Sequence, residues 1–435
     1  MNIGFFTDSY TPLIDGVVRS ILLYRQELEK RGHKVYIFAP KKIKSRSDLV
    51  NRVKIKDDER VFRFRAVDST VIPGYPLAIP VSFKATKKIP ALDLDIVHCQ
   101  TPATMGLLGD IVSLLENLPK VYTYHTYYPE YAGNYIFSGK FKTKAAVQKY
   151  DVLYCNRSDR VIVPSPKLQN ILINWGVKSE VSVLPTGIDL TEFFAADGQR
   201  FREKYKIASD QNILLFVGRL GIEKNIDFLI EVAAKLRAAK EKTVLVIVGD
   251  GKDRKDLEKK AKELNLKDQV IFTGFLARPD TLDAFAATHT FVFSSKTDTQ
   301  GLVLAEAAAL GKPIVMVKDE GLGDIIVDGV NGYVVPENVD IFAAKVKKLL
   351  HDNELYVIMS AKSREKAQGL SIENQTDKLL QIYEETLADH RDFSWRIKFW
   401  AGLQKEVKVP RWVKDKRDLA MKYFRKRKKL LNWFR

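Results

Sequence analysis

Short apolar runs alternate with amphipathic stretches along most of the chain. Ile3-Gly4-Phe5-Phe6 reads as a buried strand. A polar loop, Thr7–Gly16, follows it, and Val18, Ile21, Leu22 and Leu28 then fall on one face of a helix ending near Gly32. Val35–Ala39 predicts the next strand. A strand–loop–helix–strand start predicts a parallel sheet with helices on both faces. Further strands are predicted at Ile96–His98, Val121–Tyr124 and Val161–Val163. Pro185-Thr186-Gly187 reads as a linker, after which the alternation restarts. Its strands are Ile213–Val217, Val244–Val248, Val270–Phe272, Thr290–Phe293 and Ile314–Val317; its helices include Ile226–Leu236, Arg254–Leu264 and Leu302–Leu310. Two doubly wound halves predict an α/β protein of two Rossmann-like domains facing across a cleft. Such sheets bind ligands beyond the carboxyl ends of their strands, so chemistry is expected in the loops that follow strands.

Composition narrows the class. The chain has 435 residues, 46% hydrophobic and 29% charged, which fits two or three globular domains and excludes a disordered or collagen-like chain. No apolar stretch approaches the ~20 residues needed to span a bilayer. Met1-Asn2 runs straight into apolar Ile3, so no signal peptide is expected. Two cysteines, Cys99 and Cys155, make no disulfide framework and point to a reducing cytoplasm. There is no solenoid repeat, and Lys41–Lys56 reads as an exposed basic loop. The six histidines include no pair at metal-ligand spacing, and neither Gly-x-Gly-x-x-Gly nor a Walker A sequence follows a strand. Asp93-Leu94-Asp95 precedes a strand, which favours a structural role over metal-nucleotide binding.

Four loops remain as candidates. The most informative runs from Lys296 to Pro313, where Gly301 opens a helix of small apolar residues and Gly311 closes it. A helix N-terminus offers free N–H groups and partial positive charge to a phosphate. Asp298 in the loop and Glu306 in the helix are placed to accept bonds from sugar or ribose hydroxyls; the Ala-rich surroundings of Glu306 point to partial burial. In Gly218–Asn225, Arg219 and Lys224 either clamp a diphosphate or stand solvated. His125, in Tyr124–Tyr131, either faces a sugar from a strand end or is structural. Gly16, in Pro12–Val17, allows close backbone approach to a ligand.

Taken in order and spacing, these loops resemble the GT-B glycosyltransferases of the retaining family 4 group, from Met1 to about His390. The resemblance rests on the Gly16 and His125 loops, Arg219 with Glu223-Lys224-Asn225, and Glu306–Pro313. Thr299-Gln300-Gly301-Leu302, with His125-Thr126-Tyr127-Tyr128 and a basic C-terminus, looks most like bacterial members that glucosylate diacylglycerol. The resemblance implies a hexosyltransferase that moves glucose from UDP-glucose to the 3-hydroxyl of 1,2-diacylglycerol. It implies that Glu306 binds ribose, that Gly301, Leu302 and Val303 offer amides, and that Arg219 and Lys224 hold the leaving diphosphate. His125 would contact the donor sugar, Gly16 would close the site, and Gly274 and Phe275 would lie near the base. No cofactor beyond the nucleotide-sugar co-substrate, and no essential metal, is implied. The implied domains are 1–186 (acceptor and membrane side), 187–375 (nucleotide-sugar side) and 376–390 (a helix crossing back). Two positions depart from the family pattern: Asp298 stands where the first Glu is usual, and Asp15 where many relatives carry Gly or Asn.

Charge adds one more element. Residues 391–435 hold 16 Lys/Arg and four acidic residues, a net +12 of the chain's +17. After Pro410, Trp412, Leu419, Tyr423, Leu430 and Phe434 form one helical row, and Val413, Ala420, Phe424 and Leu431 a second. Arg425, Lys426, Arg427, Lys428 and Lys429 concentrate the charge, and Trp395, Trp400 and Trp433 add interfacial aromatics. This pattern predicts a tail lying on an anionic leaflet and a peripheral enzyme on the inner face of the cell membrane. A nucleic-acid arm does not explain the apolar stripe, so no nucleic-acid partner is expected. The stripe packing on the N-terminal domain, a glycan acceptor that is polyprenyl-linked or soluble, and a non-catalytic surface-binding protein are the competing readings.

Overall fold

A computed structural model describes residues 1–13, 15–41, 57–68, 76–80, 88–129, 141–295, 298–319 and 325–390. The expected membrane-binding residues Trp395, Trp400, Trp412, Leu419, Tyr423, Phe424, Arg425–Lys429, Trp433 and Phe434 lie outside the described residues, as does most of the Lys41–Lys56 loop.

Two parallel sheets carry the molecule. The first is built from β1 (Asn2–Phe6), β2 (Lys34–Pro40), β3 (Val61–Phe64), β6 (Ile96–Cys99), β7 (Lys120–Thr123), β8 (Arg160–Val163) and β9 (Glu180–Val183), with a small antiparallel pair, β4 (Ala66–Asp68) and β5 (Pro76–Ala78), beside it in sequence. Its order is β3-β2-β1-β6-β7-β8-β9. The second contains β10 (Asn212–Val217), β11 (Thr243–Val248), β12 (Val270–Gly274), β13 (Thr290–Phe293), β14 (Ile314–Val317) and β15 (Gly332–Val335), ordered β12-β11-β10-β13-β14-β15. In both, winding runs outward from the first strand and then reverses. The reversals fall between β1 and β6 and between β10 and β13, the switch points where doubly wound sheets open a crevice.

Burial explains the parallel pairing. β6, β8, β11, β13 and β14 are buried along their whole length, as strands sandwiched between helix layers must be. Leu215 pairs in register with Val246 and Phe291, and Phe285 stacks on Phe291 at 5.5 Å.

Three sheet strands were not predicted, and all three lie at sheet edges: Glu180–Val183, polar at alternate positions, Val61–Phe64 and Gly332–Val335. β7 begins at Lys120, a lysine that a sequence pattern excludes from a core. It is buried because Asp110 neutralises it and the Tyr154 ring lies 4.5 Å from its Nζ.

The chain forms two compact units. One comprises residues 1–163, 172–182 and the described chain from Leu379; the other comprises 164–171 and 183–378. The helix Ile372–Ala388 carries the chain back to the first unit. There Tyr383 is fully buried, with its hydroxyl 2.6 Å from His98 Nδ1, and His98 Nε2 lies 2.7 Å from Thr123 Oγ1. Arg160 pairs with Glu385 on the same helix. Burial pushes the His98 pKa down to about 3, so the ring is neutral.

Candidate functional site

In the second unit, the loops after β10 and β13 meet at the switch point. Ser294 Oγ donates to the Lys224 carbonyl at 2.7 Å and Ser295 Oγ to that of Glu223 at 3.3 Å. These bonds hold the short 3-10 turn Ile222–Lys224 against the end of β13. Lys224 Nζ then reaches both oxygens of Asp298, at 2.6 and 2.9 Å. Arg219 Nη2 lies 3.1 Å from Glu223 Oε1. Each expected diphosphate-binding cation is thus paired with an acid, Lys224 half-buried and Arg219 exposed, and Glu223, to which the sequence assigned no role, is the partner of Arg219.

Gly301 sits at φ +67° and begins the helix Leu302–Ala309 without a side-chain cap. A left-handed backbone here suits glycine, which has no Cβ to clash. The amides of Leu302 and Val303 belong to the first turn, whose N–H groups have no partner within the helix. Gln300 clasps the Pro185-Thr186-Gly187 linker: its amide exchanges two 2.9 Å bonds with the backbone of Thr186. Gly249 (φ +136°) permits another close approach, since a Cβ there would lie 1.8 Å from the Gly218 carbonyl.

Glu306, in the second turn of that helix, is buried, as its Ala-rich surroundings implied. Arg278 Nη1 donates to its Oε1 at 2.6 Å. Arg278 also donates to Glu192, and although burial opposes its charge, these two carboxylates raise its pKa. No local motif marks Arg278 or Glu192, because the contact spans distant parts of the chain. Gly274 ends β12 at φ +71° with Phe275 half-buried after it.

In the first unit, the loops after β1, β6 and β7 occupy the corresponding edge. His125 Nε2 lies 2.7 Å from Gln100 Oε1, and burial lowers its pKa to about 4. The ring is therefore neutral and can share a hydrogen bond without bringing charge. Gly16 is exposed at the start of the helix Gly16–Lys30. Asp15 caps that helix, accepting from the Val18 amide at 2.8 Å. Asp8, missed by the sequence reading, is buried at the switch point. It accepts from Thr101, Thr104 and the Met105 amide at 2.7, 2.6 and 3.0 Å, and so caps the helix Thr104–Glu116, whose own N-cap, Ala103, cannot. Asp95 accepts from the Asn2 amide, the structural role expected of Asp93-Leu94-Asp95.

Among the described residues, no three His, Cys, Asp or Glu side chains are grouped to hold a metal ion. Nor is any helix among them long and apolar enough to cross a membrane.

Comparison with known proteins agrees with this architecture. Residues 14–192 match the family Glycosyltransferase Family 4, and residues 197–366 match Glycosyl transferases group 1. The alpha-monoglucosyldiacylglycerol synthase of Streptococcus pneumoniae is 32% identical over 80% of this chain and 78% of its own length. The synthase of the same name from Acholeplasma laidlawii is 30% identical over 81% and 88%. Among solved structures, Anabaena HepE in complex with UDP superposes with a TM-score of 0.69 at 20% identity, covering 88% of this chain and 100% of that one. Sucrose-phosphate synthase from Thermosynechococcus elongatus gives 0.73 at 21% identity, over 89% and 99%. With two Rossmann-like units, loops at both switch points and relatives at this identity over most of its length, the chain belongs to the family 4 glycosyltransferases of GT-B fold.

Proposed function

We propose that the protein transfers glucose from UDP-glucose to the 3-hydroxyl of 1,2-diacylglycerol, with retention, on the cytoplasmic face of the membrane. The carrying observation is the switch point of the second sheet, where Lys224, the uncapped start of Leu302–Ala309 and buried Glu306 on that helix follow from the adjacent strands β10 and β13. The relatives' names supply the sugar and the lipid class, and a fold neighbour solved in complex with UDP supplies the nucleotide.

In this reading Glu306 accepts from the ribose, and Phe275 lies by the base. As the sugar–phosphate bond breaks, positive charge grows at the anomeric carbon and negative charge on the β-phosphate. Arg219, Lys224 and the amides of Gly301, Leu302 and Val303 stabilise that negative charge by preorganised electrostatics, so the reaction needs no metal for it. Asp298 orients Lys224 and accepts from sugar hydroxyls with the lone pairs left over. The acceptor hydroxyl attacks on the face the diphosphate leaves, passing its proton to the departing phosphate, and neutral His125 bonds a sugar hydroxyl.

The test is purified protein with a panel of UDP- and GDP-sugars and vesicles with or without diacylglycerol. Glucose transfer from UDP-glucose to diacylglycerol is expected, and absence of transfer to any lipid overturns the proposal. Glu306→Ala and Lys224→Ala should stay folded and lose turnover by about a hundredfold or more, the scale of removing one preorganised group. Full activity in either would move the donor site elsewhere.

A further inference from the structure

The buried carboxylate of Glu306 is held by one guanidinium. Arg278 Nη1 donates to Glu306 Oε1 at 2.6 Å, while Nε and Nη2 meet Glu192 Oε2 at 3.0 and 2.9 Å. The Phe193 ring lies 5.8 Å from the guanidinium carbon, within reach of a cation–π contact. All three partners stand on regular elements. Glu306 is on Leu302–Ala309, Glu192 on the 3-10 turn Leu190–Ala195, and Arg278 opens the helix Arg278–Ala287, followed by Pro279. Asp189 caps the turn through the Thr191 amide at 2.9 Å.

The arrangement divides the two oxygens of Glu306. Oε1 is occupied by Arg278, whereas Oε2 has no hydrogen bond to any described residue and is free to accept one. A glutamate has three side-chain torsions, and ordering them at the moment of binding weakens affinity. Here they are fixed in the folded protein. Glu192 does the same for Arg278, because a guanidinium engaged through two nitrogens has little freedom to swing.

We infer that Arg278 is a positioning residue for the donor. It fixes Glu306 so that Oε2 is presented to a ribose hydroxyl of the nucleotide, and Glu192 keeps Arg278 in that pose. The inference rests on the reading of Glu306 as the nucleotide-side carboxylate. A purely structural role, tying the turn Leu190–Ala195 to two helices, would change stability and leave nucleotide affinity alone.

The experiment is UDP titration calorimetry on the full chain, with donor kcat and KM measured alongside thermal midpoints. Arg278→Met should weaken UDP by about tenfold or more, the scale of one hydrogen bond to a charged group, and act chiefly on donor KM. Arg278→Lys should restore part of the affinity, and Glu192→Gln should fall between. The decisive measurement is the cycle with Glu306→Gln. If Arg278 acts through Glu306, Arg278→Met adds little once Glu306 is changed. Additive losses, or unchanged UDP affinity in folded Arg278→Met, overturn the inference. If Arg278→Met does not fold, unchanged affinity in both Arg278→Lys and Glu192→Gln overturns it instead. Unchanged affinity in Glu306→Gln alone overturns the donor-site reading itself, and with it this inference.

Discussion

Asp151 is a buried carboxyl whose single side-chain bond among the described residues, 2.7 Å from the Tyr124 hydroxyl, does not offset its loss of water. Burial raises its pKa to about 7. In the folded protein it therefore keeps its proton between about pH 4 and 7 while the unfolded chain releases it, so folding is favoured less as pH rises through that window. Above pH 7 the charged carboxyl costs a few kcal/mol, with about 4 kcal/mol as the upper bound at ~1.4 kcal/mol per unit. Asp151→Asn, which keeps the acceptor for Tyr124, should raise the thermal midpoint at pH 8 and change it little below pH 4. An equal gain at both pH values would refute this account. His98, His125 and His289 act in the opposite sense. Burial lowers their pKa values to about 3, 4 and 4, so stability falls as pH drops below about 6.5, where the unfolded chain takes up protons that these rings cannot. At this scale the sequence was readable where chemistry is local. Lys224 and Asp298 stand in loops that follow strands, Glu306 in the short helix that one of those loops opens, and such a loop announces itself by composition. Arg278, Glu192, Gln100 and Asp8 take their roles from partners 25 to 97 residues away, and no spacing along the chain encodes such a contact.

Elements were legible in proportion to their burial. Val244–Val248 and Ile314–Val317 are continuous apolar runs because both faces of the strand are covered, whereas the edge strand Glu180–Val183 is half polar and left no such mark. The returning helix shows how one buried contact sets an element's place. Tyr383 is its fully buried aromatic and the partner of His98. Tyr383→Phe leaves His98 Nδ1 without that bond in an apolar site, so a loss of about 1–3 kcal/mol is expected, read as a lower denaturation midpoint with UDP affinity unchanged. A wild-type midpoint would mean that water or another group replaces the hydroxyl. At the other helix, Gly301→Ala forces a Cβ into a left-handed backbone. It should destabilise by about 1–2 kcal/mol and, unlike Tyr383→Phe, weaken UDP as well, because in the proposed function the first turn offers its amides to the donor. If UDP affinity survives this change, the helix start is not the phosphate site.

Across the whole molecule, the two-domain plan was legible because the β–α alternation stops near Pro185 and restarts. The boundaries were less so. Residues 164–171 group with the second unit and 172–182 with the first, an interleaving that depends on packing rather than on any change in composition. Charge divides the chain in a different way. The first 390 residues carry only +5 of the +17, and the remainder sits on 45 residues whose apolar positions repeat on helical faces. Each Lys or Arg near an anionic leaflet is worth about 1 kcal/mol, screened within about 10 Å at 0.1 M salt, and a buried aromatic stripe adds attraction that salt does not screen. A chain ending after His390 should therefore lose cosedimentation with anionic vesicles and bind UDP as before, since the residues proposed for the nucleotide, Glu306, Arg219, Lys224 and Phe275, belong to the unit that includes 183–378. Its turnover on diacylglycerol in vesicles should fall through a raised apparent KM, with kcat largely kept. Full-length protein should release only in part at high salt, because the apolar stripe stays seated when the charges are screened. Vesicle binding undiminished by the truncation would assign membrane attachment to the first 390 residues, and complete release by salt would reduce the tail to its charge.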